Sequence, residues 1–280
     1  MSIGSIIKKL NEIKKAFREL RIERKNEKSI TESLLNSIYL FSDYTMGETN
    51  NEYQFTHEEQ QLNAFWKYDL RNIAGNGDTV SKVHRIMQWI TDNSIYDGNS
   101  PLGPSLPDKI LEYGFENKQP INCANRAIIF SDALSKIGVF AIPVWLEHRT
   151  ENGIVHCHVI AQVWLQEYGC WGAYDPSFNT SFQYQGKPVD IPSLAMLVRR
   201  KRKFQIIDNK SGKTTDKGRL CTVFGLMDIS VFAGNAFSNR NKWDERLHFV
   251  PETYRKLAAI PNERVIGLAS FNKEPTGRIY

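Results

Sequence analysis

The stretch from Cys123 to Asp175, "CANRAIIFSDALSKIGVFAIPVWLEHRTENGIVHCHVIAQVWLQEYGCWGAYD", narrows the fold more than any other part of the chain. Its first part, Cys123 to Ile137, is apolar enough to be a largely buried helix, and Gly138 follows as a C-cap that tolerates positive φ. Three β-rich runs come next: Val139 to Glu147, Ile154 to Leu165 and Cys170 to Asp175. Asn152-Gly153 is a hairpin turn signal between the first two, and Gln166 to Gly169 turns between the second and third. Connections this short join antiparallel neighbours. A helix followed by three such strands is an α+β pattern with an antiparallel sheet.

The chain has 280 residues, enough for one large domain or two. With 41% hydrophobic and 24% charged residues it has the balance of a folded soluble chain, which argues against disorder or a fibrous repeat. Nothing in it approaches the roughly 18 apolar residues needed to span a bilayer. The N-terminus carries lysines early and lacks an apolar h-region, so the expected address is the cytoplasm. Four cysteines, Cys123, Cys157, Cys170 and Cys221, form no CxxC pair, which argues against a disulfide framework or a zinc knuckle. The net charge of +5 is uneven: residues 1–30 net +5, residues 195–220 net +7, and the rest of the chain −7. These two basic patches are where an acidic partner would dock.

Ile3, Ile6, Ile7, Leu10, Ile13, Phe17 and Leu20 recur at helical spacing and predict an amphipathic helix within an N-terminal helical segment. Its basic face suits solvent, an acidic partner or a membrane surface. Further on, "GNGD" at 75–78 ends one element and caps the next, whose buried face is Val80, Val83, Ile86, Met87 and Ile90. Pro101, Pro104 and Pro107 predict an irregular loop, followed by a short helix around Ile110 to Phe115. Later strand-like patches are "KFQII" and "LCTVFGLMDISVF", and "PETYRKLAAI" reads as a helix. No internal repeat is present.

Cys123 opens a helix, where unpaired amides favour thiolate over thiol. Taken by itself, a cysteine in this position also suits a small buried hydrophobe. On the second strand His156, His158, Ile160 and Gln162 share one face, and Cys157 and Val159 take the other. A turn centred between Gln166 and Glu167 sets His158 opposite Asp175, and a slightly later centre makes them diagonal neighbours. Asp175 can then hold one ring nitrogen of His158 and leave the other for a nucleophile; a plain cross-strand pair is the alternative. Zinc held by His156 and His158 with Cys123 or Cys170 is disfavoured, because structural zinc takes richer thiolate sets and Cys157 points away.

These segments resemble the transglutaminase-like members of the papain-like superfamily. The resemblance rests on "NCANRAIIFSDALSKIGVFAIPVWL" with its cysteine at a helix start, on "HVIAQVWL" from His158, and on "WGAYDPS" from Trp171. The preceding "QWITDNSIYDG" is similar to the segment before the family's cysteine. The resemblance implies a papain-like α+β core over residues 65–210, between a helical segment at 1–64 and a C-terminal extension at 211–280. It further implies Cys123 as nucleophile, His158 as general base and acid, Asp175 as orienting carboxylate, and no metal or other cofactor. Gln162 stands where an acidic or amide residue is usual, and Ile160 replaces an aromatic; both bear on substrate preference. The second oxyanion donor falls among Trp89, Tyr96 and Gln119. The implied reaction is acyl transfer from an amide, ester or thioester of a protein, peptide or small molecule, to water or to an amine.

Arylamine N-acetyltransferases share the Cys, His, Asp order, but "QPINCANRA" and "AYDPSFN" lack their Arg-Gly-Gly and Asp-Val-Gly-Phe-like runs. A noncatalytic binding module using "RRKRK" at 199–203 on nucleic acid or an acidic protein is the remaining alternative. That run has no interleaved aromatics and reads as a solvated strand edge, which argues against nucleic acid. "SGKTT" at 211–215 mimics a phosphate-binding loop, but Ile207 occupies the position of the required glycine.

Overall fold

The computed structural model describes residues 57–101, 103–150 and 153–219, and positions 53, 55, 222, 223, 226, 228–232, 245–250, 256, 259–266, 270 and 273–275. The helix expected over residues 3–20 and most of "PETYRKLAAI" lie outside the described residues, as does Cys221. Six α-helices are described: α1 Glu59–Asn63, α2 Leu70–Ala74, α3 Thr79–Asn93, α4 Pro107–Ile110, α5 Cys123–Lys136 and α6 Ile191–Arg199. Asp78 starts α3 by accepting from the Ser81 amide at 2.8 Å, as the turn signal before it implies. Val83, Ile86, Met87 and Ile90 are fully buried on its inner face.

The helix expected at Ile110 begins earlier, at Pro107, because proline lacks only an amide that the first helical position leaves unused. It continues as a π-helical turn, Leu111–Glu116, in which the Asn117 amide reaches the Glu112 carbonyl. Gly114 belongs to this turn, and a Cβ there would lie 2.7 Å from Ile121 Cγ2, so side-chain packing favours the bare glycine.

Among the described residues nine antiparallel strands form one sheet: β1 Ala141–Thr150, β2 Gly153–Leu165, β3 Cys170–Asp175, β4 Thr180–Tyr184, β5 Lys187–Pro188, β6 Gln205–Asp208, β7 Lys213–Thr215, β8 Asp228–Val231 and β9 Leu247–Phe249. Their order is β7-β6-β4-β3-β2-β1-β8-β9, with β5 beside β4. The α+β class with an antiparallel sheet is therefore as expected, and residues beyond 211 add strands at both ends. Thr150 pairs with Gly153, so the glycine of the Asn-Gly signal already belongs to β2.

Alternation along β2 separates two cores. Val163 and Leu165 face α5, packing with Ile129, Phe130, Ala133 and Leu134. Ile160 faces α6, packing with Leu146, Phe182, Leu194 and Val198. The basic run at 199–203 is not a strand edge. The apolar repeat from Ile191 to Val198 carries α6 through Arg199, which is buried and donates to the Ala195 and Leu226 carbonyls. Arg200 to Lys203 then form an exposed link to β6.

Candidate active site

Asn122 starts α5. Its side-chain oxygen accepts from the Asn125 amide at 3.1 Å, and Asn125 returns a bond to the Asn122 amide, closing a capping box. Cys123 is thus the first helical residue, where a backbone amide has no acceptor inside the helix. The two asparagines also tie down the proline-rich loop: Asn122 Nδ2 donates to the Ser100 and Pro101 carbonyls, and Asn125 Nδ2 to that of Pro104 at 2.8 Å. The half-buried Cys123 side chain packs beside Ala124, Ala127, Trp145, Val159 and Phe232.

His158 sits on β2 opposite Leu146 and is 2% exposed. The β2–β3 register pairs Ala161 with Tyr174, which sets Asp175 against Ile160 and diagonal to His158. Asp175 Oδ2 lies 2.8 Å from His158 Nε2, and its Oδ1 accepts from the Ser177 amide at 2.9 Å. β3 ends there, so among the described residues no strand flanks β2 on that side at His158, and the imidazole and the Cys123 side chain are close enough to interact electrostatically. Since Asp175 occupies Nε2, Nδ1 is the nitrogen left to face the sulfur. Burial works against a charged imidazole, but the Asp175 carboxylate and then Cys123 outweigh it and hold the His158 pKa well above its ordinary value.

Residues 68–176 match the family model of the transglutaminase-like superfamily. This segment is a transglutaminase-like domain. No curated protein and no solved structure matches the chain. The matched span of the transglutaminase-like domain includes Cys123, His158 and Asp175.

The structure brings these three sequence-selected residues together and leaves His156 apart. His156 pairs across the ladder with His148, and Cys157 with Glu147 on the opposite face. Of the proposed oxyanion donors, Trp89 packs with Tyr68 and Phe115, and Gln119 is exposed and donates to the Asn117 carbonyl. Tyr96 lies closer to the triad: its ring is 5.5 Å from Phe178, whose ring is 5.8 Å from His158. Gln162 has an architectural task, since its buried Oε1 accepts from the Ile191 amide at the start of α6.

Three neighbours were not apparent from the sequence. Phe178 covers the His158 ring, Arg126 binds the turn after Asp175, and Gly218 lies against both Phe178 and Asp175. A Cβ on Gly218 would be 2.5 Å from Phe178 Cδ2 and 3.2 Å from Asp175 Oδ2. The arginine of "NRA" after Cys123 was the one available signal, a charged residue inside a largely buried helix.

Proposed function

We propose that the protein is a cysteine-dependent enzyme of acyl transfer on amide-type bonds, with Cys123 as nucleophile, His158 as general base and acid, and Asp175 as the carboxylate that orients it. The observation that carries this reading is the buried His158–Asp175 contact at 2.8 Å, with Cys123 at a helix start acting electrostatically on the same imidazole. A raised imidazole pKa supports a proton held on His158 beside a thiolate, which is the nucleophilic form.

The thiolate attacks the carbonyl carbon, and the negative charge moves onto the carbonyl oxygen beside the Cys123 amide at the helix start. His158 gives its proton to the leaving amine as the C–N bond breaks, which leaves a thioester on Cys123. Water or an amine, deprotonated by the now neutral His158, attacks the thioester and restores the thiolate. Water yields an acid and an amine yields a new amide. A cytoplasmic, reducing address suits a catalytic free thiol.

Two measurements test the reading. Alkylation with iodoacetamide at neutral pH, followed by peptide mapping, should label half-buried Cys123 before exposed Cys157. Accessibility by itself gives the reverse order, and that order would sink the proposal. Mass spectrometry after exposure to a mixture of amides, esters and thioesters should then find an acyl group on Cys123.

A further inference from the structure

Arg126 lies three residues after Cys123 on α5 and is 3% exposed. Among the described residues its hydrogen-bond acceptors are backbone carbonyls: Pro176 at 3.3 Å and Ser177 at 3.0 Å from Nη1, and Ser94 at 2.7 Å from Nη2. A guanidinium out of water usually faces a carboxylate, because desolvating the charge is expensive. Here one edge instead grips the turn that follows Asp175, and its face lies 5.3 Å from the centre of the Tyr96 ring. The same turn supplies the Ser177 amide that holds Asp175 Oδ1.

These contacts close a ring. From Cys123 it runs along α5 to Arg126, across to the Pro176–Ser177 turn, through the Ser177 amide to Asp175 and on to His158, whose imidazole interacts electrostatically with Cys123. We propose that Arg126 is the positioning residue of the triad, locking the turn that carries Asp175 to the helix that carries Cys123. The inference rests on the acyl-transfer reading of the site.

The fork of the guanidinium suits this task. Two carbonyls of one turn and a third at the end of α3 lie in different directions, and one planar group serves all three. A lysine keeps the charge but presents a single ammonium on a flexible stem. Burial lowers the Arg126 pKa to about 10, against the pull of Tyr96 and Asp175, so the group stays cationic at neutral pH. The groups facing His158 are Asp175 from β3 and Cys123 from α5; Asp175 and Tyr96 face Arg126.

R126K in the full chain tests the proposal through two readouts, the NMR titration of the His158 ring and the pH profile of Cys123 alkylation. With the charge retained and the fork lost, Asp175 should loosen and the His158 midpoint should fall by about one pH unit or more, with about tenfold slower alkylation near neutral pH. Superimposable His158 titrations in the two proteins overturn the proposal. Loss of the folded state in R126K does so as well, by assigning Arg126 to stability in place of positioning. If wild-type Cys123 reacts no faster than Cys157, the acyl-transfer reading falls, while the His158 titration still reports whether Arg126 governs the pair.

Discussion

Asp175 Oδ2 and His158 Nε2 meet at 2.8 Å with both side chains withdrawn from water, and the second carboxylate oxygen is held by the Ser177 amide. Both carboxylate oxygens are therefore engaged, which fixes the carboxylate plane and with it the imidazole. The contact is diagonal across the β2–β3 ladder, so its geometry depends on the last residues of β3 and on the turn that follows them.

Asp175→Asn should remove the main support for protonated His158. A group whose pKa rises on folding stabilises the fold below its unfolded value, near pH 6.5, and loses that contribution as pH climbs through the folded value. The His158 shift is upward, so the stability gap between wild type and D175N should be widest at about pH 6 and narrow above the raised value. Urea denaturation across that range checks the sign. Cys123 alkylation near neutral pH should slow in the same variant, because the imidazolium partner is lost.

The two histidines of "HCH" should separate by function. His158→Ala removes the group that contacts Asp175 and acts on Cys123, and hydrolysis of an activated ester should fall by about a thousandfold or more. His156→Ala alters a residue paired with His148 on the next strand, and its rate should stay within about threefold of wild type. Equal losses in the two variants would reject the assignment of His158.

Much of this arrangement was legible because its determinants are local. A two-residue strand period set His158 and Gln162 on the same face, and a short turn brought β3 back beside β2. The turn centre was left open by one position, and that one position separates an opposite pair from the diagonal pair found. Arg126, Phe178 and Gly218 were hidden for another reason. Their roles depend on which turn touches which helix, over separations such as the 51 residues between Arg126 and Ser177. The architectural role of Gln162 is hidden for the same reason: its acceptor function is visible only once the start of α6, 29 residues later, is known to lie beneath it.

Gln162→Leu should therefore act on stability and leave the chemistry alone. The change strands the Ile191 amide at the buried start of α6, which costs about 1–3 kcal/mol. Chemical denaturation measures that loss. The Cys123 alkylation rate should match wild type, and a slowed rate would mean that the carboxamide tunes the triad after all.

Gly218 gives the sharpest steric test, because it joins the part of the chain after residue 210 to the triad. Its φ of +70° disfavours any side chain, and an added Cβ would meet Phe178 Cδ2 at 2.5 Å and Cε2 at 2.9 Å. Gly218→Ala should cost about 2–3 kcal/mol, part from the backbone and part from the clash. Since Phe178 lies on the His158 ring, Cys123 alkylation should slow as well. Phe178→Ala in the same chain removes the clash but not the backbone cost, so the double variant should be more stable than the two single losses added together. Additive losses would show that Gly218 and Phe178 do not touch in solution, and would detach the C-terminal part of the chain from the site.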